Sequence, residues 1–222
     1  MGIEKNLDKL QIVKKDKIEQ LKSVKPKLLV IDNYDSFTYN LVQMFINFNL
    51  EIIVKRADKI TVKEASELKP DYLLVSPGPK DPMHAGISNG AIAHFYDKIP
   101  ILGVCLGMQC LNEVFGGITK RAPVPVHGKT DMIYHKEAGI FKNMPSPFAA
   151  ARYHSLTVEI ADDAKEFSSK IVPTAWNIDG LIMGVELKDY PVYGVQFHPE
   201  SFMTINGEIL IKNFLYAGVL GG

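Results

Sequence analysis

The sequence predicts an α/β fold in which a mixed, mostly parallel central sheet has helices on both faces. The first observation is a set of short runs that are apolar throughout, such as Tyr72–Val75 and Ile101–Val104, which are typical of parallel strands buried on both sides. The second is that segments with helical spacing of apolar residues alternate with these runs. The third is a change after about residue 117, where shorter segments punctuated by proline and glycine indicate antiparallel additions. A chain of 222 residues accommodates one such domain.

Individual strands are predicted from short apolar runs, and individual helices from the spacing of apolar residues and from N-terminal capping motifs. Thr61 and Glu64 have the spacing of a capping box, which opens a short helix. Strands are expected at Lys27–Ile31, Glu51–Val54, Tyr72–Val75, Ile101–Val104, Leu156–Ile160 and Leu181–Val185. Further helices are expected near Leu41–Ile46, Ile87–Tyr96, Met108–Phe115 and Ile205–Leu220.

Residues 1–26 are expected to form an N-terminal amphipathic extension, separate from a domain at 27–222. Apolar residues recur near helical spacing among many lysines, and Pro26 ends the segment. The alternative is a partly disordered tail.

Composition excludes several classes of function. The hydrophobic content is 46%, the charged content is 23% and the formal net charge is zero, so nucleic acid and anionic membranes are not expected as partners. No apolar run approaches the length of a membrane span. Cys105 and Cys110 are the two cysteines, which is too few for a disulfide scaffold. With no visible signal peptide, a reducing compartment, the cytoplasm, is expected.

The segment Ile101–Gln109 carries the clearest chemical pattern. Gly103, Cys105 and Gly107 form G-x-C-x-G after an apolar strand and before a helical run, the thiol counterpart of the nucleophile elbow G-x-S-x-G. A helix N-terminus beside the sulfur favours the reactive thiolate. The alternative is that Cys105 is an ordinary buried small residue.

A candidate base lies near the C-terminus. Pro199 biases His198 towards an extended conformation, in which His198 and Glu200 point to the same side. A carboxylate that orients an imidazole, which in turn serves a thiol, is the logic of a catalytic triad. Taken singly, His198 and Glu200 suit ordinary structural roles, but their combination with an elbow cysteine favours catalysis by Cys105, His198 and Glu200. The other histidines lack metal-ligand spacing, so no metal site is expected.

Acyl transfer also needs donors to an oxyanion. The first candidate is the backbone N–H of Leu106, immediately after the nucleophile. The second is the N–H of Gly78 in the turn Ser76–Pro79, which follows a predicted parallel strand. The alternative is that Ser76–Pro79 is an ordinary turn that ends the strand and has no role in catalysis.

These motifs together resemble the class I, triad-type glutamine amidotransferases. The opening Asp32–Leu41 and the run His127–Thr130 are similar to those of the glutaminase subunits of anthranilate synthase and 4-amino-4-deoxychorismate synthase. The resemblance covers about residues 27–218 and leaves out residues 1–26. The motifs that carry it are Ser76-Pro77-Gly78-Pro79, Gly103-Val104-Cys105-Leu106-Gly107-x-Gln109, Arg152-Tyr153-His154-Ser155-Leu156 and Gly194-Val195-Gln196-Phe197-His198-Pro199-Glu200-Ser201.

The resemblance implies a flavodoxin-like amidotransferase fold and a glutaminase mechanism. Cys105 would attack the amide of L-glutamine, His198 would move the proton and Glu200 would hold His198. Gly78 and Leu106 would form the oxyanion hole. No cofactor is implied in this chain, and Mg²⁺ is expected only on the synthase partner. The residues implied in glutamine binding are Gly78, Pro79, Gln109, Ser155 and Leu156.

The resemblance implies a chorismate-using synthase as the partner. It is expected to be a separate subunit, since the chain stops at 222, shortly after the glutaminase pattern. The product is expected to be anthranilate, for tryptophan biosynthesis, and the alternative is aminodeoxychorismate, for folate biosynthesis, or a subunit shared by both. A free-standing γ-glutamyl thiol hydrolase and a non-enzymatic regulatory binder are the remaining alternatives. Met108 stands where relatives often have histidine, and Lys80 where a small residue is common.

Overall fold

Strands and helices alternate along the first half of the chain, and strands dominate the second. The computed structural model describes residues 25–160 and 171–220. Within these residues the strands are β1 (Lys27–Asp32), β2 (Glu51–Arg56), β3 (Tyr72–Val75), β4 (Ile101–Val104), β5 (Ile118–His135), β6 (Phe148–Glu159), β7 (Ile171–Asn177), β8 (Ile182–Leu187) and β9 (Val192–Val195). The α-helices are α1 (Thr38–Ile46), α2 (Val62–Glu67), α3 (Ser88–Phe95), α4 (Leu106–Val114) and α5 (Gly207–Leu220).

In the described part of the chain all nine strands join one sheet in the order β2-β1-β3-β4-β9-β8-β7-β5-β6. The pairs from β2 to β9 are parallel, and those from β9 to β6 are antiparallel. The parallel half has the order of a flavodoxin-like, doubly wound sheet, with β9 in the fifth place. The expected fold class, a mixed sheet with helices on both faces, is confirmed. Among the described strands four pairings are parallel and four are antiparallel, so the sheet is less parallel than the expected mostly parallel one, because the added strands of the second half of the chain join the same sheet.

Alternating residues of the central strands enter two separate apolar cores. Leu28 and Val30 of β1 pack on one side with Phe45 of α1 and Phe214 of α5. Leu29 and Ile31 pack on the other side with the residues of α2, α3 and α4. Burial on both faces explains why the parallel strands are apolar throughout.

The sequence locates the parallel strands better than the antiparallel ones. The bounds of β3 and β4 are as expected, and the capping box of Thr61 and Glu64 is formed at the start of α2. By contrast, β5 runs for 18 residues and is largely exposed, so apolar periodicity marks only part of it. Its register with β6 shifts between Arg121 and Val126, where two prolines interrupt the ladder.

The edge strand β6 is covered by the segment that follows β9. The N–H of His198 donates to the carbonyl of Ala151 at 3.0 Å, and the N–H of Ile205 donates to the carbonyl of Ala149 at 2.9 Å. The Thr204 hydroxyl accepts from the N–H of Ala151 at 3.0 Å and donates to the carbonyl of His198 at 2.6 Å. These bonds fix the position of His198 relative to the sheet.

The expected extension at residues 1–26 lies almost wholly outside the described residues. No helix among the described residues is long and apolar enough to cross a membrane.

We expect Thr204→Val to lower the free energy of unfolding by about 1–3 kcal/mol, because it leaves the buried N–H of Ala151 without its acceptor. Thr157→Val is the matched control, since the buried Thr157 hydroxyl has no hydrogen-bond partner among the described residues. Denaturant unfolding of both variants measures the difference. Equal midpoints for Thr204→Val and the unchanged protein would show that the hydroxyl does not hold this segment.

Candidate active site

Cys105 occupies the sharp turn between β4 and α4. Its φ is +53° and its ψ is −102°, a left-handed conformation that is strained for a residue with a side chain. The Cys105 N–H donates to the carbonyl of Val195 at 2.8 Å. A Cβ on Gly107 would lie 2.3 Å from the carbonyl oxygen of Val75, so only glycine allows the elbow to pack this closely against β3.

His198 and Glu200 form a buried pair beside the elbow. His198 Nδ1 lies 2.6 Å from Glu200 Oε1, and the two side chains are 3% and 0% exposed. The rings of Phe37 and Tyr153 flank the imidazole at centroid distances of 5.9 and 5.1 Å. The other ring nitrogen, Nε2, is buried and forms no hydrogen bond of normal geometry within the described residues.

The charge state of His198 is set by competing effects. Burial by itself lowers the pKa of His198, but the nearby Cys105 sulfur and the Glu200 carboxylate, which is hydrogen-bonded to Nδ1, outweigh burial and raise the pKa to about 10. The imidazole therefore holds a proton at neutral pH. A proton held next to a thiol suits both a thiolate nucleophile and a later proton donor.

Two cavities meet at Cys105. The smaller, of about 140 Å³, is lined by all five residues expected to bind glutamine, together with Lys80, Cys105, Tyr153 and His154. The larger, of about 430 Å³, is lined by Cys105, His198 and the aromatic side chains of Phe37, His127 and Tyr153, among others. Cys105 therefore borders both cavities, although its residue is only 6% exposed.

The two expected oxyanion donors belong to residues in contact. A Cβ on Gly78 would lie 2.5 Å from Asn33 Cβ and 2.8 Å from Leu106 Cδ2, so Gly78 is enclosed between these two residues. Asn33 fixes the turn, because its backbone N–H donates to Ser76 Oγ at 2.9 Å and its side-chain amide donates to the Ser76 carbonyl at 3.1 Å. The role of Asn33 was not anticipated from the sequence.

Gln196 is a second residue that lies at the site although the sequence motifs alone indicate no role for it. Its amide nitrogen lies 3.4 Å from Cys105 Sγ, and its amide oxygen accepts from Gln109 Nε2 at 3.2 Å. The sequence signal available for Gln196 was its place two residues before His198 in the motif Gly194–Ser201. The chain bends at 196–197 and turns at 199–200, so the side chains of Gln196, His198 and Glu200 converge through these bends and not along the extended segment that was expected.

The chain matches the family model described as glutamine amidotransferase class-I over residues 29–217. The chain belongs to this family. The resemblance inferred from the motifs is thereby confirmed.

Curated relatives place the chain more narrowly within the amidotransferase family. It is 50% identical over 188 residues to the aminodeoxychorismate/anthranilate synthase component 2 of Bacillus subtilis, covering 85% of this chain and 95% of that protein. It is 46% identical over 189 residues to the anthranilate synthase component 2 of Cyanophora paradoxa, covering 85% and 97%. A solved structure of a candidate GMP synthase subunit from Thermoplasma acidophilum shares the fold, with a TM-score of 0.75 at 23% identity over 88% of this chain and 95% of that one.

The two departures from the amidotransferase pattern lie in different surroundings. Met108 is fully buried behind the elbow and packs against Gly194, where an added Cβ would lie 2.8 Å from Met108 Cγ. Lys80 is exposed, has a φ of +69° and lines the smaller cavity. Among the residues the structure describes, no group of three or more His, Cys, Asp or Glu is placed to hold a metal ion.

A buried polar chain supports the backbone at one wall of the smaller cavity. Arg152 pairs with Asp131, and its Nε–H donates to His154 Nε2 at 2.9 Å. His154 Nδ1–H in turn donates to the carbonyl of Leu156 at 2.7 Å. Burial, with a further contribution from the Arg152 charge, lowers the pKa of His154 to about 4, so this imidazole is neutral.

This neutral histidine makes stability depend on pH. The pKa of His154 is lower in the folded chain than the ordinary value near 6.5, so the unfolded chain binds more protons between pH 6.5 and about 4. Stability is therefore complete above pH 6.5 and falls as the pH falls through this window, by at most about 3 kcal/mol from this residue.

We expect His154→Gln to remove this contribution, since its amide can keep both hydrogen bonds without titrating. The free energy of unfolding of His154→Gln and of the unchanged protein is measured from pH 7 to pH 4. The difference between them gives the contribution of His154 alone, because the other titrating groups are common to both. A difference that stays constant across the window would contradict the assignment.

Proposed function

We propose that this chain is a glutaminase subunit that hydrolyses the side-chain amide of L-glutamine and delivers ammonia to a chorismate-using synthase subunit. The observation that carries the proposal is the position of Cys105. It lies at a strained elbow, beside the buried His198–Glu200 pair and at the wall of the cavity lined by Gln109 and the other expected glutamine-binding residues.

The first half of the reaction forms a thioester. The Cys105 thiolate attacks the amide carbon of glutamine, and the carbonyl oxygen takes up the negative charge of the tetrahedral intermediate. The backbone N–H groups of Gly78 and Leu106 stabilise this oxyanion. Protonated His198 donates its proton to the leaving nitrogen, which departs as ammonia while the C–N bond breaks.

The second half regenerates the enzyme. Neutral His198 takes a proton from water as the water oxygen attacks the thioester carbon, and the C–S bond breaks to return the thiolate. Glutamate leaves, and His198 is again protonated. Glu200 keeps the ring oriented through its bond to Nδ1 in both halves.

Glutamine would bind in the smaller cavity through contacts at both of its polar ends, the side-chain amide and the α-amino and carboxylate groups. Gln109 and the backbone of Ser155 and Leu156 bind the α-amino and carboxylate groups, and Gly78 with Pro79 encloses the amide end. The hydrogen bond from His154 to the Leu156 carbonyl orients this backbone before substrate arrives. A preoriented site spends less binding free energy on ordering its own groups.

The proposed partner follows from the names of the relatives. One relative is an anthranilate synthase component 2, and another is a component 2 of both aminodeoxychorismate and anthranilate synthase. We infer that anthranilate, for tryptophan biosynthesis, is the product of the complex. The dual name favours, as the second candidate, a subunit shared with aminodeoxychorismate synthesis. Both cysteines are free, consistent with the cytoplasm as the expected location.

We expect Cys105→Ser to lower glutamate release from glutamine by about a thousandfold or more, since removal of an enzyme nucleophile has effects of this order. Cys110→Ala is the matched control. Cys110 is fully buried, and burial raises the pKa of its thiol, so it should be unreactive. Full activity of Cys105→Ser in a folded protein would remove the proposed mechanism.

Glutamate release by the chain alone, and with each candidate synthase subunit plus chorismate, tests the partner. Release that is low alone and rises with one subunit supports the proposal, and the aromatic product identifies the pathway. Strong release that no subunit increases would instead indicate a free-standing γ-glutamyl hydrolase.

A further inference from the structure

The side-chain amide of Gln196 is fully enclosed between two groups of the active site. Gln196 follows β9 directly and is 0% exposed. Its backbone N–H donates to the carbonyl of Met183 at 3.0 Å, which fixes the backbone from which the side chain extends. The amide nitrogen faces Cys105 Sγ and the amide oxygen faces Gln109.

The geometry points to Gln196 as a donor to the nucleophile that also joins it to the substrate cavity. This inference rests on the proposed role of Cys105 as nucleophile. Gln109 Nε2–H donates to Gln196 Oε1, and Gln196 Nε2–H donates to Cys105 Sγ. The two bonds form one directed chain from the cavity wall to the sulfur.

The direction of this chain follows from the chemistry of the amide group. An amide oxygen only accepts hydrogen bonds, and an amide NH₂ group only donates them. Because Gln109 uses its NH₂ group on the oxygen of Gln196, the NH₂ group of Gln196 is presented to the sulfur. A donor aimed at sulfur stabilises the thiolate relative to the thiol, because hydrogen bonds to charged acceptors are the stronger ones.

Packing alone does not require an amide at this position. The neighbours Val195 and Phe197 are apolar and belong to the core, where an uncompensated polar group would be costly. Gln196 instead places a polar group against Cys105 Sγ and Gln109. Both of its amide atoms find partners, and both partners are side chains of the proposed active site.

The hydrogen bond from Gln196 to the sulfur would act in both halves of the proposed reaction. The Gln196 bond is strongest when the sulfur is negatively charged, which is the state before attack on glutamine and again when the thioester breaks. Gln109 holds the Gln196 amide in place, so the residue that contacts the substrate also orients the donor to the nucleophile.

Alkylation of Cys105 by iodoacetamide tests the donor directly, because the thiolate is the reacting form. We expect Gln196→Met, similar in shape and without a donor, to lower the alkylation rate at pH 7 about tenfold and to move the midpoint of its pH profile upward. Gln43→Met is the matched control, since Gln43 is exposed on α1. Peptide mass spectrometry confirms that the label is on Cys105.

The link to Gln109 requires a second measurement. We expect Gln109→Met to move the alkylation profile in the same direction by about threefold at pH 7, because Gln196 then loses its orienting partner. The double variant should react no more slowly than Gln196→Met alone. Fully additive effects would overturn the link while leaving the donor role supported by Gln196→Met.

An alkylation profile of Gln196→Met that superimposes on that of the unchanged protein would overturn the proposal. If this variant does not fold, ¹⁵N-glutamine labelling of the unchanged chain provides the test, since the sequence has only five glutamines. The side-chain amide proton of Gln196 should then titrate with the alkylation midpoint, and an unchanged resonance would overturn the donor role. Neither measurement needs glutamine turnover, so failure of the proposed function is distinguished from failure of this inference.

Discussion

The strained backbone of Cys105 is the constraint on which the site depends. A left-handed φ on a residue with a side chain costs on the order of 1–3 kcal/mol and persists only where the surroundings fix it. Here the N–H of Cys105 is held by Val195 of β9, and Gly107 lies against the carbonyl of Val75 in β3. The two strands that flank β4 thus hold the turn from both sides. A larger residue at Gly107 would push the elbow outward and misplace the sulfur and the Leu106 N–H together.

Two buried histidines near Cys105 differ in protonation state because the charges next to them differ. His198 has the Glu200 carboxylate and the Cys105 sulfur beside it, and negative charge on these two groups favours the imidazolium in spite of burial. His154 has the Arg152 guanidinium beside it, and burial and that charge both favour the neutral ring. The partners of the two rings, and not a difference in exposure to solvent, therefore give His198 a protonated ring, as its proposed role in proton transfer requires, and His154 a neutral one.

The sequence predicted the parts of the site that are local in the chain. The elbow glycines, the Ser76–Pro79 turn and the His198–Glu200 spacing all depend on a few adjacent residues, and the parallel strands are recognisable because both faces are buried. The Asp131–Arg152 pair could not be predicted, since it depends on a register between β5 and β6 that includes bulges. Pairing across such irregular strands is set by tertiary packing, which leaves no periodic signal in the sequence.

Strand β9 joins the two halves of the sheet and brings the proposed nucleophile, Cys105, close to its proposed base, His198. It runs parallel to β4 and antiparallel to β8, with Val104 opposite Val195. The next residues are Cys105 and Gln196, so the register of one pair of strands places the amide beside the sulfur. Slippage by one residue would turn Gln196 and His198 to the opposite face of the segment. The apolar residues Val195 and Phe197, buried in the core, oppose such slippage. Two core residues thereby fix the positions of the neighbouring residues for which a chemical role is proposed.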